Sequence, residues 1–339
     1  MNHRTIAWCL IIHGLGLAHA SAQTVYHYVF FGQDREQIKE ASRFLETETL
    51  EGAQIRYSWR QLEPEKDEYD FSIIRDDLAF LASKGKRLFV QFQDVTFSQS
   101  RINVPQYLLD DPEYHGGAAR QYSYQDEEAD AVVEGWVARR WDPAVQERLY
   151  QLFFALGEAF DGQIAGINLA ETSVEFGESG RLFPEGFSFE IYRDAVIANM
   201  TALKRAFPNT VVIQYANFMP GEWLPADDHG YLRAVYRAAE ERGIGVGGPD
   251  LLPYRPGQLA HSYPLIQKAA DVVPAGIAVQ EGNYEHRNPE SGMPVTIAEL
   301  IRFAAEHLKV DYIFWCTQEP FYSRQVLPFF EEMGLDKGH

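Results

Sequence analysis

The chain reads as a single (β/α)8 barrel, and three features of the sequence carry that reading. Short apolar runs alternate with amphipathic stretches eight times between Tyr26 and Met333. An open doubly wound sheet seldom needs eight such repeats, whereas a closed barrel does. The runs end in polar or charged residues, two of them glutamates, as strand tips do when they converge on one mouth. The 339 residues, 46% of them hydrophobic, contain no linker-like or low-complexity stretch and no obvious repeat, so one domain over residues 23–339 is expected.

In chain order, residues 26–31 (YHYVFF) form the first predicted strand. A helix over 35–50 follows, with Ile38, Ala41, Phe44 and Leu45 on one side. Residues 54–59 are the second strand, and the helix over 71–84 is stopped by Gly85. Between them, Glu63-Pro64 and the acidic run Asp67–Asp70 read as a turn with solvated charge. The third strand, 87–93, leads into a polar, aromatic and glycine-rich insertion from Asp94 to Trp141. It is too long for a plain connection, and such loops are often functional. Asp142-Pro143 opens a helix whose Val145, Leu149, Leu152, Phe153 and Leu156 recur at helical spacing.

The fourth strand is IAGINLAE, 164–171, with a helix over 188–207 after its loop. The fifth strand (210–215) precedes a helix over 229–242 stopped at Gly243, and the sixth (244–248) precedes one over 259–272. AGIAVQEGNY, 275–284, repeats the grammar of the fourth strand: an apolar run, a polar tip, a glutamate, then a turn. Thr296 with Glu299 is a capping-box pattern, and the eighth strand, 311–315, precedes a last helix over 323–333.

Residues 1–22 read as a secretory signal peptide rather than part of the fold. Arg4 precedes an apolar stretch too short to span a bilayer, and Ala20-Ser21-Ala22 is a small-x-small cleavage site. The expectation is an exported chain, periplasmic or extracellular. Its net charge of −19 argues against nucleic acid or an anionic membrane surface as partner. Beyond residue 23 nothing is long and apolar enough to cross a membrane. Cys316 is then the only cysteine left and reads as a buried thiol.

Placed side by side, the strand tips collect amides, carboxylates and aromatic faces. The second strand contributes Arg56 and Trp59, and the fourth Asn168 and Glu171. The fifth contributes Tyr215 and Asn217, the sixth Asp250, the seventh Gln280 and Glu281, and the eighth Trp315. Sugar hydroxyls take directional hydrogen bonds and sugar C–H faces pack on aromatic rings, so this set suits a carbohydrate. Two carboxylates flanking a glycosidic bond supply acid/base and nucleophilic chemistry. No spacing suggests a metal site, a phosphate-cradling loop or a nucleophilic serine, and no cofactor is expected. Structural alternatives stand beside these readings. For Glu281 alone, pairing with Arg56 or Arg287 is a fair competitor, although the two glutamates together favour catalysis. Asp250 is equally explained by ending its strand. Packing competes for the tryptophans, with the position of Trp315 at a strand end favouring a stacking platform. Arg56, set among apolar neighbours, calls for a carboxylate partner on either reading.

The stretch GAQIRYSWRQLEPEKDEYDF and its continuation to Gln93, with residues 164–173, 275–284 and 311–320, resembles the retaining glycoside hydrolases of clan A. The resemblance implies a (β/α)8 enzyme cleaving a β-linked poly- or oligosaccharide. It implies Glu171 as acid/base, Glu281 as nucleophile, Arg56 as the orienting arginine and Trp315 as the floor of a sugar subsite. One departure is Ala170, where the clan carries an asparagine that binds the sugar 2-hydroxyl; Asn168 or Asn217 is the candidate replacement. A non-catalytic glycan-binding barrel, an inverting hydrolase and a transglycosylase are the competing readings.

Overall fold

The computed structural model describes residues 24–123 and 128–336; residues 1–22, where the signal peptide is expected, lie outside them. Its eleven strands are β1 Tyr26–Phe30, β2 Gly52–Ser58, β3 Arg87–Gln93, β4 Val95–Thr96, β5 Ala118–Ser123, β6 Val132–Ala138, β7 Gly166–Leu169, β8 Val211–Tyr215, β9 Gly245–Gly248, β10 Ala275–Val279 and β11 Tyr312–Cys316. Eight of them close into a parallel barrel in the order β1, β2, β3, β7, β8, β9, β10, β11, with β1 returning to β11. The predicted fold class therefore holds. No helix of the described residues is long and apolar enough to cross a membrane.

The barrel floor is aromatic. Phe89 and Phe314 meet edge to face at 4.8 Å, and Tyr28 and Tyr312 each lie 5.7 Å from Phe89. Four large rings fit inside because the neighbouring positions are small: a Cβ at Gly166 would lie 2.3 Å from the Phe89 ring. The rings plug the lower barrel, so the polar side chains gather above them, toward the C-terminal mouth.

Two predicted helices are each broken in two. The first becomes Arg35–Glu40 and Ser42–Glu46, hinged at Ala41. Ile38 and Phe44 are both buried, and six residues of straight helix would place them far apart around the axis. The break brings both onto the core. The stretch predicted over 259–272 becomes Pro256–Ala260 and Tyr263–Ala269, because Pro264 fits only the first turn of a helix. Asp142 caps Pro143–Phe160 and the Thr296/Glu299 capping box forms, as their patterns predict.

The insertion carries its own antiparallel sheet, in the order β4–β6–β5. Its two ends are clamped by Arg140, which grips both oxygens of Asp94 at 2.6 and 2.7 Å. The expected solvated turn at Glu63 is corrected: Glu63 is fully buried, pairs with Arg148 and accepts from the Trp59 indole N–H at 2.8 Å. A charge there is tolerable only because it is paired on both sides.

Candidate active site

A cavity of about 390 Å³ opens at the C-terminal mouth. Barrel tips supply Arg56, Gln91, Glu171, Tyr215, Asp250 and Gln280 to it, and the insertion walls one side with Thr96, Phe97, Arg101 and Asn103. A second cavity, about 400 Å³, adjoins it over β1 and β11, and Arg56 and Gln280 line both. Glu281 lines only this second cavity.

Glu171 is the most elaborately held carboxylate of the mouth. It follows β7 by two residues, and its backbone carbonyl accepts from Arg140 Nη1 at 3.0 Å. The same Arg140 nitrogen donates to Tyr192 Oη, whose hydroxyl donates to the Thr172 carbonyl, while Thr172 Oγ1 donates to Phe218 O. The loop is thus fastened on both sides of Glu171. Its Oε2 accepts from Asn217 Nδ2 at 2.6 Å. Burial pushes the Glu171 pKa up to about 7, against the Asn217 hydrogen bond, and the negative charge of Asp250 adds to the rise; the Arg140 and Arg56 charges oppose it.

Asp250 stands two residues beyond β9, in the same cavity. Its Oδ1 accepts from Asn283 Nδ2 at 3.1 Å, and Asn283 Oδ1 in turn accepts the N–H groups of Leu251 and Gln280, each at 3.0 Å. One buried asparagine therefore ties the tips of β9 and β10 together and aims Asp250. Burial raises the Asp250 pKa, while Asn283 and the Arg255 charge pull it back.

Arg56 is corrected on one point. It forms no ion pair with any described carboxylate; its Nε donates to Gln91 Oε1 at 2.9 Å and its guanidinium lies 5.1 Å from the Phe30 ring centre. Burial and the charge of Arg101 lower its pKa, with Glu171 opposing them. Its side chain lines both cavities. Beside it, Gln280 takes the inward position at the end of β10, because Gly276 and Ala278 pair with Tyr312 and Phe314, the inward residues of β11. Glu281, one residue on, is exposed and makes no hydrogen bond or ion pair with the described residues.

Three expected contact residues lie elsewhere. Trp59 and Trp315 are fully buried, the first on Glu63 and the second with its indole N–H on His27 Nδ1 at 3.3 Å, so neither has a face to offer a sugar. Asn168 is also fully buried, below the cavity, where it accepts from Gln54 and donates to the Leu169 carbonyl. Asn217, the other candidate beside Ala170, is the one that reaches Glu171. Tyr215 lines the cavity with its hydroxyl accepting from Gln54 at 3.3 Å.

The sequence reading missed Arg140, Asp94, Asn283 and Phe97. Asp94 and Arg140 stand at the two ends of the insertion, which is the signal a clamp leaves. Phe97, 61% exposed at the cavity wall, is the aromatic face that the buried tryptophans do not provide.

No protein-family model and no curated protein matches the chain. Solved structures do share its fold. Xylanase 10B from Thermotoga petrophila, in complex with xylobiose, is 12% identical over 93% of this chain and 95% of that one, with a TM-score of 0.51. The GH5_18 protein of Streptomyces cattleya, in complex with GlcNAc, is 13% identical over 94% of this chain and 80% of that one, with a TM-score of 0.55. A beta-galactosidase from Bacillus circulans sp. alkalophilus reaches a TM-score of 0.60 at 12% identity over 93% of this chain, which spans just over half (56%) of that protein. At such identities the likeness establishes the barrel.

Proposed function

We propose that the protein is an exported retaining glycoside hydrolase acting on a β-linked poly- or oligosaccharide, with Glu171 as its acid/base. The observation that carries this reading is a carboxyl group with a pKa near 7, held by a clamped loop in a cavity walled by amides, arginines and an aromatic ring. A group of that pKa is protonated often enough at neutral pH to give a proton to a leaving oxygen, and ionised often enough to take one back from water. Arg56, Gln91 and Gln280 would bind hydroxyls, and Phe97 would pack against a sugar face. The reaction also needs a second carboxylate at the anomeric carbon. The resemblance assigns that role to Glu281, and Asp250 competes for it by position. Export rests on the composition of residues 1–22, and carbohydrate neighbours in fold space agree with the substrate class.

One observation favours a second reading. The inward position of β10 holds a neutral amide, Gln280, rather than a carboxylate, as a barrel that binds a glycan without cleaving it would have. Incubation of the mature protein with soluble xylan, mannan, β-glucan, galactan and chitooligosaccharides, with products read by mass spectrometry, separates the two. Products from the native protein and none from Glu171→Gln support the hydrolase. Binding without products across the panel supports the glycan-binding barrel, and the anomer released in the first turnover, followed by NMR, tells retention from inversion.

A further inference from the structure

We propose that Asp250, rather than Glu281, is the carboxylate that works opposite Glu171 on the scissile bond. The inference rests on the hydrolase reading and changes its second catalytic residue. Two catalytic carboxylates have to reach one sugar ring from its two sides. Asp250 and Glu171 line the same cavity, whereas Glu281 lines the adjoining one, which shares Arg56 and Gln280 with it. The register of β10 explains this placement: Ala278 and then Gln280 take the inward positions, so the next side chain leaves the barrel axis.

Preorganisation points the same way. Catalytic groups are held by partners that fix their geometry before substrate arrives. Asp250 has Asn283 on its Oδ1, and Tyr263 Oη, accepting from the Leu252 N–H at 2.8 Å, donates to the Asp250 carbonyl at 2.9 Å. Glu281 is exposed and has no such partner among the described residues. Asn283 accordingly serves as a positioning residue, since it holds Asp250 and also accepts the backbone N–H of Gln280. The electrostatics are those of a working pair: the charge on Asp250 helps to keep the proton on Glu171.

In the step this arrangement supports, an Asp250 carboxylate oxygen attacks the anomeric carbon as the bond from that carbon to the leaving oxygen breaks. The leaving oxygen takes the Glu171 proton. Water then attacks the same carbon and gives a proton to Glu171, and the ester to Asp250 breaks, releasing the sugar and restoring both groups.

The test uses the mature protein on 4-nitrophenyl β-D-glucoside, galactoside, xyloside, mannoside and N-acetylglucosaminide, with reducing-end release from the polysaccharide panel alongside. On the best substrate, Asp250→Asn is expected to lower kcat/KM by about 10³-fold or more, with Glu281→Gln within about tenfold of native. A variant-free arm treats native protein with the matching 2,4-dinitrophenyl 2-deoxy-2-fluoro-β-glycoside and locates the added sugar in a peptic digest. A label on the peptide containing Asp250 supports the proposal even where Asp250→Asn folds poorly. A label on the peptide containing Glu281, no label at all, or full activity in Asp250→Asn overturns it while leaving the hydrolase standing. A native protein that releases nothing from any substrate overturns the hydrolase reading and this inference with it.

Discussion

At the tip of β7, Glu171 follows the strand by two residues, and at the tip of β10, Glu281 does the same. The first is partly buried, accepts from Asn217, and sits in a loop pinned by Arg140, Tyr192 and Thr172. The second is exposed and unattached, and the turn after it is held instead through Asn283 and through Gly282, whose N–H donates to Gln318. Equal distance from a strand end therefore does not make two carboxylates equivalent. What separates them is the scaffold that each loop brings: a buried ion pair under one, a free rim under the other.

The sharpest way to test that contrast is Glu171→Gln, which is expected to cut kcat/KM on any cleaved glycoside by about 10²–10⁴-fold, the usual worth of a general acid. Thermal unfolding checks that the barrel persists. The next effect is on stability. Arg140→Met leaves Asp94 buried without its partner, and removing one member of such a pair costs about 3–5 kcal/mol. Glu281→Gln at the exposed rim is expected to stay within about 0.5 kcal/mol of native when both variants are unfolded by urea titration. Comparable losses in the two variants would erase the distinction between the tips.

A smaller effect is the pH dependence of stability. The Glu171 pKa is raised from 4.5 to about 7 on folding, so the folded chain holds more protons than the unfolded one between those values. Stability then falls as pH rises through that window. Glu171→Gln removes this penalty and should gain on the order of 2 kcal/mol relative to native on going from about pH 4 to pH 8, the partly open cavity keeping the figure below full burial. The smallest effect is a displaced pH–rate profile. The native alkaline limb of kcat/KM should fall near pH 7, and Asn217→Ala, which deletes a donor to the carboxylate, should move it upward. Asp250→Asn removes a negative charge and should move any residual limb downward.

Much of the fold was legible because alternation of apolar and amphipathic stretches is a local property. All eight barrel strands fall where the pattern puts them, within a residue or two at the ends. The break in the first helix was not legible, since Ile38 and Phe44 both had to reach a core that the local periodicity does not describe, whereas the break before Tyr263 carried a local signal in Pro264. Among site residues, Glu171, Asn217, Tyr215, Asp250, Gln280 and Arg56 all reach the mouth. Trp59, Trp315 and Asn168 do not, because a strand-end position does not say which way a side chain faces.

The sequence by itself determined the eight strands, the order of the elements and the set of polar tips at one mouth, all of which follow from hydrophobic periodicity and chain order. Tertiary structure decided the rest. Only the register of β10 against β11 turns Gln280 inward and Glu281 away, only the closure of Asp94 with Arg140 fixes the Glu171 loop, and only the bridge through Asn283 aims Asp250 at the same cavity. Each of these depends on residues well separated in the chain meeting between neighbouring strands or loop ends, and that is why no local pattern announces them.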